Sequence, residues 1–504
     1  MAFRILRLLA ARGESLASHR DGRGAPPARR DPPPPRLRRG LPRPGAKTCF
    51  IRDGFGLGRC LASIALVAAL LYAATAAVAA AIRPPKLDYQ VTTLANGLTL
   101  VTEEDHSTPI VHLQLWYHVG SRNEKPGRTG FAHLFEHLMF KGSKNVEPEG
   151  HTSMIASIGG QSNAYTQDDV TVFWQTFPAQ YLPLTLWLEA DRMATLRIDK
   201  DTLTNEREVV KEERRMRVDN QPYGRLSEII FDQAITVHPY KHATIGSMAD
   251  LEAASINDVR DFYNTYYVPE NATLALVGDF DTAQAVQLVT QYLGRVPKAE
   301  RPVPRDVPKE PPSTREKRVT LQEPWPLPAV VVAYHIINDG HPDSYPLHIA
   351  SKVLSDGQSS RIYKSLVYEK GIALVASGEA NIIEDPNLFY AVAIIQPGHR
   401  PEEAIDALIA EFDKLKAEPI TEHELQRTKN QFARDYILGR ESNKDKALQL
   451  AHALVIHGDV RTADGEFEIF QKLTTADIQR VARTYFTPEN RVVLTLLPER
   501  AGGR

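Results

Sequence analysis

Short apolar runs alternate with longer amphipathic stretches along most of this chain. Residues 110–119, IVHLQLWYHV, and residues 329–338, AVVVAYHIIN, are dense apolar runs of strand length, each followed by a loop and a helix-period stretch. Residues 258–274, DVRDFYNTYYVPENATL, and 477–493, DIQRVARTYFTPENRVV, each read as helix, turn and apolar strand. A single offset of 219 relates both pairs. It matches Asp258 with Asp477, Tyr266 with Tyr485, Tyr267 with Phe486, and Pro269–Asn271 with Pro488–Asn490. Two matches at one offset, in one order, make the body a tandem of two homologous halves, 87–296 and 319–500. Between them, 297–318 is rich in proline and charge and reads as an extended linker. Long helices alternating with short strands predict an α+β layer fold in each half.

Composition adds an N-terminal extension to this picture. The 504 residues are 42% hydrophobic and 24% charged, ordinary for a globular protein. The net charge of −2 hides an asymmetry. Residues 1–60 hold 14 Lys and Arg against 4 Asp and Glu, so the rest of the chain carries a net −12. The leader is Pro/Arg-rich and buries too little apolar surface to fold. Its arginines invite a nucleic-acid role, but the acidic body argues against one. Residues 61–82, LASIALVAALLYAATAAVAAAI, are uncharged and apolar. They read as a signal peptide or a membrane anchor, just long enough to span a bilayer. Small-residue triplets near the end favour cleavage; the long basic leader favours an anchor or an earlier-assigned start. Either way the basic flank stays inside and the body is exported, which predicts a periplasmic or other extracytoplasmic location, tethered to the inner membrane if the segment is an anchor. The two cysteines, Cys49 and Cys60, precede the body, which therefore has neither disulfides nor thiol catalysis.

The chemistry concentrates in GRTGFAHLFEHLMFKG, residues 127–142. At helical spacing His133 and His137 share a face and form a natural pair of zinc ligands. Glu136 leans toward the same site, free to take a proton from water. The order His-x-x-Glu-His reverses the commoner zinc-protease order. A catalytic zinc keeps one position open, so a third protein ligand is needed. TNEREVVKEERRMR, 204–217, offers Glu206 and Glu213, two turns apart on one face, with Val209 and Val210 between them on the inward side and Thr204 or Asn205 as cap. By itself this segment fits a solvated glutamate-rich surface equally well. The second half has lost the motif: at an offset of 215 His348 matches His133, but Ser351 and Lys352 replace Glu136 and His137. His348 reads as an ordinary helix histidine.

HLFEH, followed after 75 residues by Glu213 with Glu206 one step earlier, resembles the pitrilysin/insulinase family of zinc metallopeptidases. GGQSNAYTQDDVTVF (159–173), HPYKHATIG (238–246) and YYVPENATLALVGDF (266–280) extend the likeness over most of 90–498. The resemblance implies one zinc per chain on His133, His137 and Glu213, with Glu136 as general base. It implies that Glu206 orients a ligand or a catalytic group. Ser162, Asn163, Ala164 and Tyr165 would lie on an edge strand that pairs with substrate backbone; on its own, Asn163 reads as a turn residue. The implied fold is two halves, each a mainly antiparallel sheet covered by helices, facing each other as a clamshell around a chamber. Such a chamber admits peptides and unfolded polypeptides.

One departure stands out. Active members carry an arginine and a tyrosine, seven apart, in the later half, where they contact substrate. Here Val367 and Leu374 occupy those positions, and Arg361 and Tyr368 are out of register. The expectation is therefore a catalytic subunit whose partner, a second family chain without the zinc motif, supplies that pair; a homodimer is the other arrangement. A tethered maturation peptidase with one client is a variant of this reading. The contrasting expectation is a non-catalytic scaffold or peptide-binding assembly subunit.

Overall fold

The computed structural model describes residues 83–499; the leader over 1–60 and the apolar run over 61–82 lie outside the described residues. Among the described residues no helix is long and apolar enough to cross a membrane.

Two sheets carry the fold. The first contains β1 (Tyr89–Thr93), β2 (Thr99–Glu104), β3 (Ile110–Tyr117), β4 (Gln161–Thr166), β5 (Thr171–Pro178) and β6 (Ala272–Gly278), ordered β1-β2-β6-β3-β5-β4. The second contains β7 (Lys317–Glu323), β8 (Ala329–Ile336), β9 (Ala373–Ala380), β10 (Asn387–Ile395) and β11 (Arg491–Pro498), ordered β7-β11-β8-β10-β9. Both are mainly antiparallel, each with a single parallel pair, β2 with β6 and β7 with β11. The α+β class read from the sequence holds for each half.

The sequence repeat is a repeat of structure. The offset of 219 carries the limits of β3 onto those of β8, and the helix Ile256–Tyr266 onto Thr475–Tyr485. Both helices start in a capping box, Ser255 with Asp258 and Thr474 with Asp477. After each helix the asparagine of Pro-Glu-Asn reaches back. Asn271 Nδ2 donates to the Tyr266 carbonyl at 2.8 Å, and Asn490 Nδ2 to that of Tyr485 at 2.7 Å. Those bonds satisfy a helix-end carbonyl and turn the chain into the next strand.

The dense apolar run at 110–117 is explained by burial on both faces. Val111, Leu113, Leu115 and Tyr117 face a core shared with the helix Phe131–Leu138, while Trp116 faces a second core with Val101, Ala275 and Val277. The helix Asn443–Val455 closes that second face with Ala447, Leu450, Ala451 and Ala453. A helix of the second half thus completes the core of the first. The stretch 297–316 has no helix or strand but is pinned. Arg305 donates to Asn271 Oδ1 at 2.6 Å, and the Glu310 carboxylate accepts from the backbone of Thr236, Val237 and His238 at 2.8, 2.9 and 3.0 Å.

A buried charge network joins the halves. The Arg122 side chain, 3% exposed, lies 2.8 Å from Glu384, 2.9 Å from Asp385 and 3.5 Å from Asp169. His118 faces Glu384 at 2.6 Å and His238 faces Asp385 at 3.2 Å. Arg122→Ala would leave the buried Asp169 and the part-exposed Glu384 and Asp385 without their shared cation. We expect it to destabilise the chain by about 3 kcal/mol, read as a lower urea midpoint. An unchanged midpoint would mean that the joint does not depend on this network.

Candidate metal centre

The motif helix, Phe131–Leu138, owes its place to its own apolar face. Phe131, Leu134, Phe135 and Leu138 are buried at i, i+3, i+4 and i+7 spacing, which turns His133, Glu136 and His137 the other way. Its start is fixed by Gly130, at φ +90°, where a Cβ would come within 2.8 Å of the Ile245 carbonyl oxygen. The buried Glu124 carboxylate accepts from the N–H of Gly130 and of Ala132, both at 2.8 Å. It thereby satisfies two donors that the helix leaves open. Burial pushes the Glu124 carboxyl up, against the pull of those backbone bonds.

The second element is the helix Lys200–Arg214. Its cap is Asp199, whose side chain accepts from Thr202 N at 2.8 Å. The sequence reading put the cap at Thr204 or Asn205; Thr204 instead lies inside the helix and donates to the Lys200 carbonyl. Helical spacing sets Leu203, Glu206, Val210 and Glu213 on one face. Val210 is buried there, whereas Val209, expected inward, is exposed. Directly after Arg214 the helix widens into a π turn, Arg215–Asp219. Arg214 anchors this end with a bidentate pair to Glu228 and a 2.7 Å bond to the Gly246 carbonyl. Gly246 packs on Gly130, so both helices are held by one loop.

His133, His137 and Glu213 converge, each offering one donor atom within 4.8 Å of the others. Glu213 Oε2 lies 3.2 Å from His137 Nε2 and 3.7 Å from His133 Nε2. Glu206 stands behind, its Oε2 3.6 Å from His137 Nδ1 and its Oε1 3.2 Å from Lys141 Nζ. Glu136 is turned aside, and its Oε2 accepts from Thr166 Oγ1 at 2.7 Å. Thr166 ends β4, an edge strand that pairs with β5 alone among the described residues. Ser162, Asn163, Ala164 and Tyr165 lie along this strand, and the Ala164 N–H donates to the Asn163 side chain at 2.9 Å. Thr166 and Glu124 meet the site only through the fold, whereas Lys141, four residues after His137, and Arg214, next to Glu213, lie beside the motifs without being residue types that a metal motif demands.

The electrostatics are those of a site short of positive charge. Burial, helped by the neighbouring His137, holds the His133 imidazole down at about 4. Burial opposes protonation of His137 too, but Glu206 and Glu213 outweigh it and hold that ring at about 9. Contact with His137 lowers Glu213, and burial raises Glu136. His137 is thus the ring on which the acidic side chains of the site act most strongly. The donor set fits zinc. Four donors about 2.0–2.1 Å from a zinc ion lie roughly 3.3 Å apart, close to the separations found here. His133 Nδ1 and Glu206 Oε2 are buried without a hydrogen-bond partner among the described residues.

The second half shows what the same place becomes without the motif. On the helix Ser344–Ser355, Ser351 Oγ accepts from Ala380 N at 3.1 Å, at the end of edge strand β9, and Lys352 pairs with Asp435 at 3.2 Å. The His348 ring lies 6.0 Å from that of Phe470. Arg361 is held in a bidentate pair with Glu424, at 2.8 Å for both bonds, and Tyr368 is 82% exposed.

Comparison with known proteins agrees with this geometry. Residues 99–247 match the family model described as insulinase (peptidase family M16), and residues 253–432 match the peptidase M16 inactive domain. The zinc protease PqqE of Helicobacter pylori is 31% identical over 413 residues, covering 81% of this chain and 93% of that one. The beta subunit of the mitochondrial-processing peptidase of Saccharomyces cerevisiae is 24% identical over 402 residues, covering 76% and 86%. The crystal structure of a protease from Helicobacter pylori aligns with a TM-score of 0.79 at 31% identity, covering 82% of this chain and all of that one.

Proposed function

The chain belongs to the insulinase family of peptidases, family M16, and from that premise we propose that it is an exported zinc endopeptidase acting on peptides or unfolded polypeptides. The observation that carries this reading is the placing of Glu136. It sits beside His133, His137 and Glu213 but outside their donor set, hydrogen-bonded to the last residue of an edge strand.

His133, His137 and Glu213 would hold one zinc ion. The chemistry such an ion supplies is Lewis acidity toward a carbonyl oxygen and toward water. Glu136 accepts a proton from the attacking water at its free carboxylate oxygen and delivers it to the leaving amine. Thr166 holds the other oxygen. Glu206 fixes the ring of His137 and does not touch the reacting atoms. The backbone of Ser162–Tyr165 receives the substrate as an added strand; Asn163 releases the Ala164 N–H when it does.

The residues that replace the family's Arg/Tyr pair, Val367 and Leu374, provide no donors for the developing oxyanion. Neither Arg361, committed to Glu424, nor the exposed Tyr368 is in register to replace them. We therefore assign this chain the catalytic role in a dimer, whose partner supplies the pair and the other side of the chamber. The apolar segment 61–82, flanked by basic residues, carries the proposal of export to the periplasm or an equivalent compartment. The test is hydrolysis of quenched fluorescent peptides by the full chain, alone and with its copurifying proteins, before and after chelation. We expect slow, chelator-sensitive cleavage alone and faster cleavage with a family partner. Full-rate cleavage by the purified chain would remove the partner. No cleavage in any combination would leave the scaffold reading.

A further inference from the structure

A second cluster lies away from the motif. Asp339 follows β8, His452 sits in the last turn of the helix Asn443–Val455, and His457 lies two residues beyond that helix. Their donor atoms are all within 4.8 Å of one another. We propose that Asp339, His452 and His457 form a second zinc-binding site, one that clips the loop after β8 to the helix covering the first sheet.

The geometry of the three side chains supports this. Asp339 Oδ1 is used by Gly340 N at 2.8 Å, which leaves Oδ2 facing both rings. His457 Nε2 lies 3.2 Å from Oδ2 and His452 Nε2 lies 3.6 Å from it. These separations match the edge of a zinc coordination tetrahedron, roughly 3.3 Å, as well as those of the motif cluster do. His457 Nδ1 is paired with Thr462 Oγ1 at 2.9 Å, which orients the ring. Its Nε2 is then the atom aimed at the cluster. The His457 side chain is 94% buried, and Nε2 has no hydrogen-bond partner among the described residues despite the nearby carboxylate. A plain imidazolium–carboxylate pair would align an N–H with that oxygen; here two rings converge on one oxygen without hydrogen-bond geometry. A cation between the three donors satisfies all of them. The half-exposed His452 leaves an open side for entry and for a water as fourth ligand. The carbonyl end of the helix adds partial negative charge. Two imidazoles and one carboxylate suit zinc.

The role that follows is structural. The helix Asn443–Val455 forms one wall of the core behind β3 and β6, and its C-terminal end would be tied to the β8 loop.

The test is made in the full chain carrying His133→Ala and His137→Ala, which removes the motif cluster. After equilibration with zinc and gel filtration, bound metal is measured by mass spectrometry, and thermal unfolding is followed with and without zinc. We expect one equivalent of zinc to remain and to raise the unfolding temperature. Adding either Asp339→Asn or His452→Gln should weaken zinc binding at least tenfold and abolish the thermal shift. His452 is half exposed, so its replacement spares the packing. Absence of bound zinc in the double-alanine background, or its persistence unchanged after both further substitutions, would overturn the site.

Discussion

Glu136→Gln is expected to abolish nearly all peptide hydrolysis while leaving bound zinc unchanged. Glutamine matches the shape of glutamate and still accepts from Thr166 Oγ1, so the motif helix and edge strand β4 keep their contact. None of the donors on His133, His137 or Glu213 is touched. What is lost is a base that can take the water proton. General base catalysis contributes roughly 10²- to 10⁴-fold, and the loss should fall on kcat, because the interaction is made in the transition state. Single-turnover peptide cleavage and metal analysis on the same preparation would read both quantities. A variant that retains zinc and cleaves at a tenth of the parent rate or faster would remove Glu136 from the proton path.

The parts of this design that could be read in the sequence are the periodic ones. His133 and His137 fall on one face because helical spacing puts them there, and Glu206 and Glu213 share a face for the same reason. The 219-residue repeat was legible because each copy must cap its helix and then turn into a strand, which fixes the residue types at Asp258 and Asp477 and at Asn271 and Asn490. The failures are non-periodic. Asp199, Thr204 and Asn205 all make good caps, and only the packing of Leu203 and Val210 selects the first. Val209 and Val210 are alike in composition, and the phase of the helix decides which is buried. Thr166 and Glu124 reach the site through the fold, from 30 and 12 residues away from Glu136, and nothing in their local pattern marks them. The Asp339–His452–His457 cluster joins residues more than a hundred positions apart in the half that had lost the motif, where no spacing rule would look.

His137→Ala is expected to remove one equivalent of zinc per chain as well as turnover. It is the more severe change because His137 connects two layers of the site. Its Nε2 faces Glu213 at 3.2 Å and its Nδ1 faces Glu206 at 3.6 Å. Without the ring, zinc loses a ligand and Glu206 loses the group it orients, leaving Lys141 as its ion-pair partner. Loss of an outer contact of that kind costs roughly 10- to 100-fold in metal affinity, so Glu206→Gln should weaken zinc by that much and keep measurable activity at saturating metal. Loss of the ligand itself should cost more, and added zinc should not restore cleavage. Zinc titration of the two variants side by side separates the roles. If His137→Ala kept its full complement of zinc, the metal would have to be held elsewhere, and the assignment of His133, His137 and Glu213 would fall with it.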